Sequence, residues 1–226
     1  MKERPILFSA PMVRAILDGR KTQTRSIVKS SRAWPIEFVG GSGDRGDPSC
    51  YGFEDPNTAQ WWTLAPSCAV DSNQIPCPHG QPGDRLWVRE TWAAFDADGM
   101  HPGKPHDLRD GPWPIIAYGV AKDFPKGTAR PAIHMPRWAS RITLEITSVR
   151  VERLQDISEA DAIAEGIEHT SDGFSVDEGR HFHAARARDS FASLWDGLNE
   201  ARGHGWEANP WVWVIEFRRI TTEDGK

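Results

Sequence analysis

Hydrophobic and polar positions over residues 1–30 alternate in a way that predicts strand, helix and strand in succession. Ile6 to Phe8 is a short apolar run, and from Ser9 onward Met12, Val13, Ile16 and Leu17 recur on one side of a helix. Ser9 occupies the N-cap position, Pro11 the first turn, and Gly19 the position just past the end. Arg20 to Val28, with its threonines and terminal β-branched pair, predicts a turn running into a strand. Pro82-Gly83 is a turn signal ahead of the alternating stretch that ends at Trp92, which reads as a strand. Arg141 to Val151 alternates as well, with Ile142, Leu144 and Ile146 on one face and Thr143, Glu145 and Thr147 on the other. Trp211 to Ile220 is nearly continuous in apolar residues and predicts a central strand.

Two helices are expected between these last strands. Ser158-Glu159-Ala160-Asp161 resembles a capping box with Ile157 as its staple residue, and that short helix ends near Gly166. The longer one ends near Leu198 and carries Phe191, Leu194, Trp195 and Leu198 at helical spacing. Glycines and prolines punctuate residues 31–79 and, with Asp and His, residues 96–114, so both stretches read as irregular insertions. No internal repeat and no strand-helix-strand rhythm is present. The expectation is a single α+β domain over 1–226, with short helices flanking a small mixed or antiparallel β-barrel.

Composition narrows the function classes. No apolar run approaches the roughly 18 residues of a membrane-spanning helix, and residues 1–5 lack the pattern of a secretory signal. A cytoplasmic protein without a membrane partner is expected. The odd set of Cys50, Cys68 and Cys77 predicts thiols in a reducing compartment rather than disulfides. The net charge of -5 argues against a generic nucleic-acid coat. Within it, residues 1–30 carry seven cations against Glu3 and Asp18, a balance of +5 that leaves -10 for the remainder. That polarity suits a small anionic or polar ligand near the N-terminal segment. Eleven tryptophans against two tyrosines supply aromatic faces able to anchor a core or stack on a planar base.

Gly19-Arg20-Lys21-Thr22-Gln23-Thr24-Arg25 after a short amphipathic helix, Gly83-Asp84-x-Leu86 opening a strand, and Val214-Ile215-Glu216-Phe217 near the end resemble the ASCH family. The resemblance spans roughly residues 5–30, 80–95 and 137–220 and leaves the two insertions aside. It implies a PUA-like β-barrel. It also implies the chemistry of the small N4-acetylcytidine amidohydrolases of that family, which use a lysine, a threonine three residues later and a glutamate near the end of a short helix. Lys21 and Thr24 match the first two, and helix register places Glu165 on the third. On this resemblance the protein is a hydrolase, removing the acyl group from N4-acylated cytosine or cytidine compounds.

Amide hydrolysis needs a nucleophile, a proton shuttle and a donor to the developing oxyanion. Thr24 supplies a hydroxyl or positions a water, Lys21 serves as a desolvated base or oxyanion donor, and Glu165 protonates the leaving amine or activates water. The residues leave covalent and water-direct routes open. Arg25, Arg89, Glu90 and Trp92 are the candidate substrate contacts. No cofactor and no metal are expected: Cys68, Cys77 and His79, with Cys50 upstream, lack the paired short spacings of a zinc site, and His101, His106, His181 and His183 read as surface residues. The expected partner is a modified nucleoside or nucleobase. An RNA-binding PUA-like module or a ribonuclease is the alternative, favoured by the basic N-terminal segment. The insertions, bearing Trp61, Trp62 and Trp113, are expected to cover the pocket and select acyl or sugar groups.

Overall fold

The computed structural model describes residues 1–31, 34–40, 43–66, 71–99, 101–103, 112–119, 128–176 and 181–220. In chain order the elements are β1 (Glu3–Leu7), α1 (Ala10–Leu17), β2 (Gln23–Ile27), β3 (Glu37–Phe38), β4 (Tyr51–Asp55), β5 (Gln60–Thr63), β6 (Ser72–Gln74), β7 (Arg85–Arg89), β8 (Trp92–Phe95) and β9 (Ile115–Tyr118). There follow β10 (Thr143–Arg153), α2 (Glu159–Ala164), β11 (Glu168–Thr170), β12 (Gly173–Val176), β13 (His181–Ala184), α3 (Ala187–Asn199) and β14 (Trp211–Ile220).

A five-stranded sheet in the order β1-β7-β10-β14-β2 organises the molecule. β1 runs parallel to β7, and every other pairing is antiparallel. The apolar run of β14 lies inside this sheet, as its composition predicts. Trp213, Ile215 and Phe217 enter one core with Ile6, Phe8, Leu86 and Leu144, whereas Val212 and Val214 enter a second core with α2 and α3. A strand covered on both faces has no polar side to alternate with. β10 keeps the expected alternation, burying Leu144 and Ile146, and bulges between Ile146 and Ser148.

Mixed α+β architecture is therefore present, but among the described residues the sheet does not close. β1 and β2 are both edges, joined in sequence by α1. The segment from Ile75 to Gly80 lies between them: Ile75 and Cys77 pack on the first core, and His79 reaches Ser26 of β2. On the other side, a Cβ on Gly80 would lie 2.7 Å from the Arg4 guanidinium of β1.

The first insertion is less irregular than its punctuation suggests. Its described residues form a second sheet, β3-β4-β5-β6, in which Trp61 and Trp62 belong to β5. Gly52 permits this pairing, since a Cβ there would sit 1.9 Å from the Trp62 carbonyl oxygen. β8 and β9 form a separate ladder over a third core containing Trp92, Met135 and Ala139. Trp113, from the second insertion, packs against that core, and residues 104–111 lie outside the described set. Between α2 and α3 runs a small sheet, β11-β12-β13, too short and polar for periodicity to reveal. The single strand expected to end at Trp92 divides into β7 and β8. Leu198 departs from expectation too, being 54% exposed while Phe191, Leu194 and Trp195 are buried.

The capping box forms in full: Asp161 N donates to Ser158 Oγ at 3.0 Å, and Ser158 N donates to Asp161 Oδ2 at 3.2 Å. Replacing Ser158 by Ala leaves one helix N–H without its partner. A loss of about 1 kcal/mol is expected, read as a lower urea midpoint with an unchanged slope.

Candidate active site

Glu165 sits at the C-cap of α2, where the chain turns through Gly166 at φ +103°. A Cβ on Gly166 would come within 3.2 Å of Ala15 and 3.4 Å of Lys21, so glycine both permits the turn and lets the α1–β2 connection pack against it. Lys21, in that connection, has no side-chain exposure. Its Nζ donates to the Glu165 carbonyl oxygen at 2.7 Å and to Glu165 Oε2 at 2.9 Å. The Phe8 ring lies 5.4 Å from the same nitrogen. Burial pushes the Lys21 ammonium pKa below the ordinary lysine value, while the Glu165 carboxylate pulls it back up. Lysine and glutamate expected together from family resemblance are thus in direct contact across 144 residues of sequence.

Alternation along β2 separates the neighbouring candidates onto two faces. Gln23 and Arg25 point towards α2. Gln23 Nε2 donates to the Asp161 carbonyl oxygen at 3.0 Å, and Arg25 Nη1 donates to Glu165 Oε1 at 3.0 Å. Arg25 also pairs with Glu152 of β10 and lies 3.7 Å from Asp161 Oδ2. Burial alone would raise the Asp161 pKa, but the bonds from Ser158 and Gln23 and the Arg25 charge hold it below the usual aspartate value. Arg25, expected as a substrate contact, is therefore spent on carboxylates, and it fixes the Glu165 oxygen that Lys21 leaves untouched.

Thr24 and Ser26 occupy the other side and line a cleft of about 340 Å³ between the two sheet edges. Pro5, Ile6, Leu7 and Phe8 supply the β1 wall, and His79, Arg89 and Arg25, whose side chain itself has no exposure, complete the lining. Thr24 is nearly buried, and among the described residues no hydrogen bond joins its hydroxyl to Lys21 or Glu165. His79 Nε2 lies 3.1 Å from Ser26 Oγ. Burial, reinforced by the Arg4 and Lys29 charges, lowers the His79 pKa and keeps its imidazole neutral near pH 7.

Arg89 faces the cleft as expected, its guanidinium 4.6 Å from the Trp87 ring centroid. Glu90 and Trp92 do not line it. Glu90 is buried and accepts two bonds from Arg141, at 2.9 and 3.1 Å, because a carboxylate in that interior needs a charged partner. Trp92 is fully buried and packs edge-on to Trp138 at 5.8 Å. The spacing of His79 from Cys68 and Cys77 gives no sign of this position, which is set by a tertiary contact with β2. Of the described residues in the two insertions, both expected to cover the pocket, His79 alone lines the cleft, and residues 104–111 at the centre of the second lie outside the described set. Cys68 and His106 lie outside the described residues. Asp96, Asp98 and His101 gather their ligand atoms within 4.8 Å in the second insertion, but this exposed group is away from the cleft lining.

Replacing Glu165 by Ala strands the buried Lys21 ammonium and takes one of three carboxylates from Arg25, and a loss of about 3–5 kcal/mol is expected. Adding Lys21→Met to that variant should recover part of it, visible as a non-additive pair of thermal midpoints. The depressed His79 pKa has its own signature. Below pH 6.5 the unfolded chain takes up a proton that the folded chain refuses, so this contribution is present above 6.5 and lost as pH falls through the folded value. The gap in thermal midpoint between the wild type and His79→Gln should accordingly shrink between pH 8 and pH 5. No protein-family model, curated protein or solved structure matches the chain, so its functional reading rests on this geometry.

Proposed function

We propose that the protein is a metal-independent amidohydrolase that removes the acyl group from N4-acylated cytosine compounds, and that its five-stranded sheet is an opened counterpart of the PUA-like barrel. The buried contact of Lys21 Nζ with Glu165, beside a cleft bearing Thr24, carries this reading. Thr24 presents its hydroxyl, or a water it positions, to the acyl carbonyl. Lys21, three residues ahead of it and stripped of solvent, takes or returns the proton. Glu165, gripped by Lys21 and Arg25, keeps that proton within a closed pair of groups. An open cleft of about 340 Å³ with one apolar wall and, among the described residues, no run of cations along it suits a single planar base better than a long RNA backbone, which favours the small-molecule substrate over the RNA-binding alternative.

Incubation with N4-acetylcytidine should shift the ultraviolet spectrum to that of cytidine, and chelators should leave the rate unchanged. Thr24→Ala and Lys21→Ala should each lower turnover about 100-fold or more, per mole of protein shown to be folded by circular dichroism. Where Lys21 acts as base, the rate should rise with pH and level off below 10.5, the ordinary lysine value. Absence of turnover, or near wild-type rates in both variants, overturns the reading.

A further inference from the structure

Two chemically different walls face each other across the cleft. The β1 wall, Pro5 to Phe8, is apolar and can pack against a ring, whereas the opposite side offers Thr24 and Ser26 of β2 together with His79. No carboxylate lines the cleft among the described residues, and the Arg25 charge is already matched by Glu165 and Glu152.

Thr24 and Ser26 are two residues apart on one strand, so their side chains stand about 7 Å from each other on the same face. If Thr24 works at the amide on the exocyclic nitrogen, Ser26 stands about as far off as the far side of a pyrimidine, where the ring nitrogen carries its sugar. There Ser26 Oγ and His79 Nε2 form a pair 3.1 Å apart, both half-buried and both open to the cleft. With Nε2 protonated the pair keeps the Ser26 O–H as a donor and an Oγ lone pair as an acceptor, and with Nε2 unprotonated that O–H is taken up and Oγ offers lone pairs alone. A sugar hydroxyl both donates and accepts, so it can satisfy both states; a ring carbonyl, which only accepts, cannot.

We infer that Ser26 and His79 form a sugar-hydroxyl site, so that the cleft takes a nucleoside in preference to the bare base. This rests on the proposed function for its orientation, with the scissile amide at Thr24. His79 comes from the end of the first insertion and the segment that fills the gap between the sheet edges. That insertion would thereby supply sugar selectivity through one side chain, without covering the cleft as a lid.

The test is titration calorimetry of the whole protein with cytidine and with 1-methylcytosine, which keeps the substituted ring nitrogen but has no hydroxyl. Cytidine should bind about tenfold more tightly, and Ser26→Ala and His79→Phe should each bring the two affinities close together. Ser26→Ala removes a single oxygen, and its thermal midpoint separates lost recognition from lost folding. A second measurement, the ratio of kcat/KM for N4-acetylcytidine to that for N4-acetyl-1-methylcytosine, should fall in parallel. Equal binding of the two ligands by the wild type, failure of both to bind, or a preference that survives both substitutions overturns the inference. A cytidine preference abolished by Ser26→Ala, in a protein that hydrolyses neither acyl compound, supports the sugar site and overturns the amidohydrolase reading alone.

Discussion

A charged side chain removed from water has to find its counter-charge inside the protein, and that requirement ties the halves of this chain together. Lys21 and Arg25 lie in the first 30 residues, while Glu165, Asp161 and Glu152 come from α2 and β10. Removing either side leaves an interior charge whose solvation cost nothing offsets. Packing of apolar surface tolerates small slips. A lysine ammonium that donates to both the carbonyl and the carboxylate of one residue does not, so the end of α2 is registered against the start of β2. Asp161 adds to this by serving two structures, since it closes the capping box and lies against Gln23, Arg25 and Arg150.

What periodicity and capping can reveal was legible in this chain, and what depends on partners distant in sequence was not. α1 occupies the segment expected of it, with Val13 and Ile16 buried and Gly19 past the end at positive φ. The β10 alternation and the Ser158 capping box are also as read. Residues 31–79 misled because prolines and glycines bracket strands as short as two to five residues, in which alternation has no length to register. The outcome at the site divides along the same line. Lys21 with Glu165 emerged from family resemblance, not from any local pattern. Nothing in the local sequence of Arg25, Glu90 or Trp92 announces Glu152, Arg141 or Trp138 as the groups their side chains meet.

β2 is the clearest case of one strand serving two purposes. Its odd-numbered side chains, Gln23 and Arg25, turn to the ionic cluster and bind the strand to α2, while Thr24 and Ser26 are left for the cleft. A one-residue shift would exchange these roles and place hydroxyls against carboxylates that need cations. Structural and chemical demands on this segment are thus coupled by the pleat itself.

The link through α1 sets a dimension as well as a connection. β1 and β2 stand at opposite ends of the sheet order, yet only α1 and two short turns separate them in the chain. An eight-residue helix extends about 12 Å and does not stretch, so it works as a strut holding the two edges a set distance apart. The separation of the two cleft walls is thereby tied to the length of one rigid element. Lengthening or shortening that strut by whole turns would move both walls at once, a change of gauge distinct in kind from a side chain exchanged along either of them.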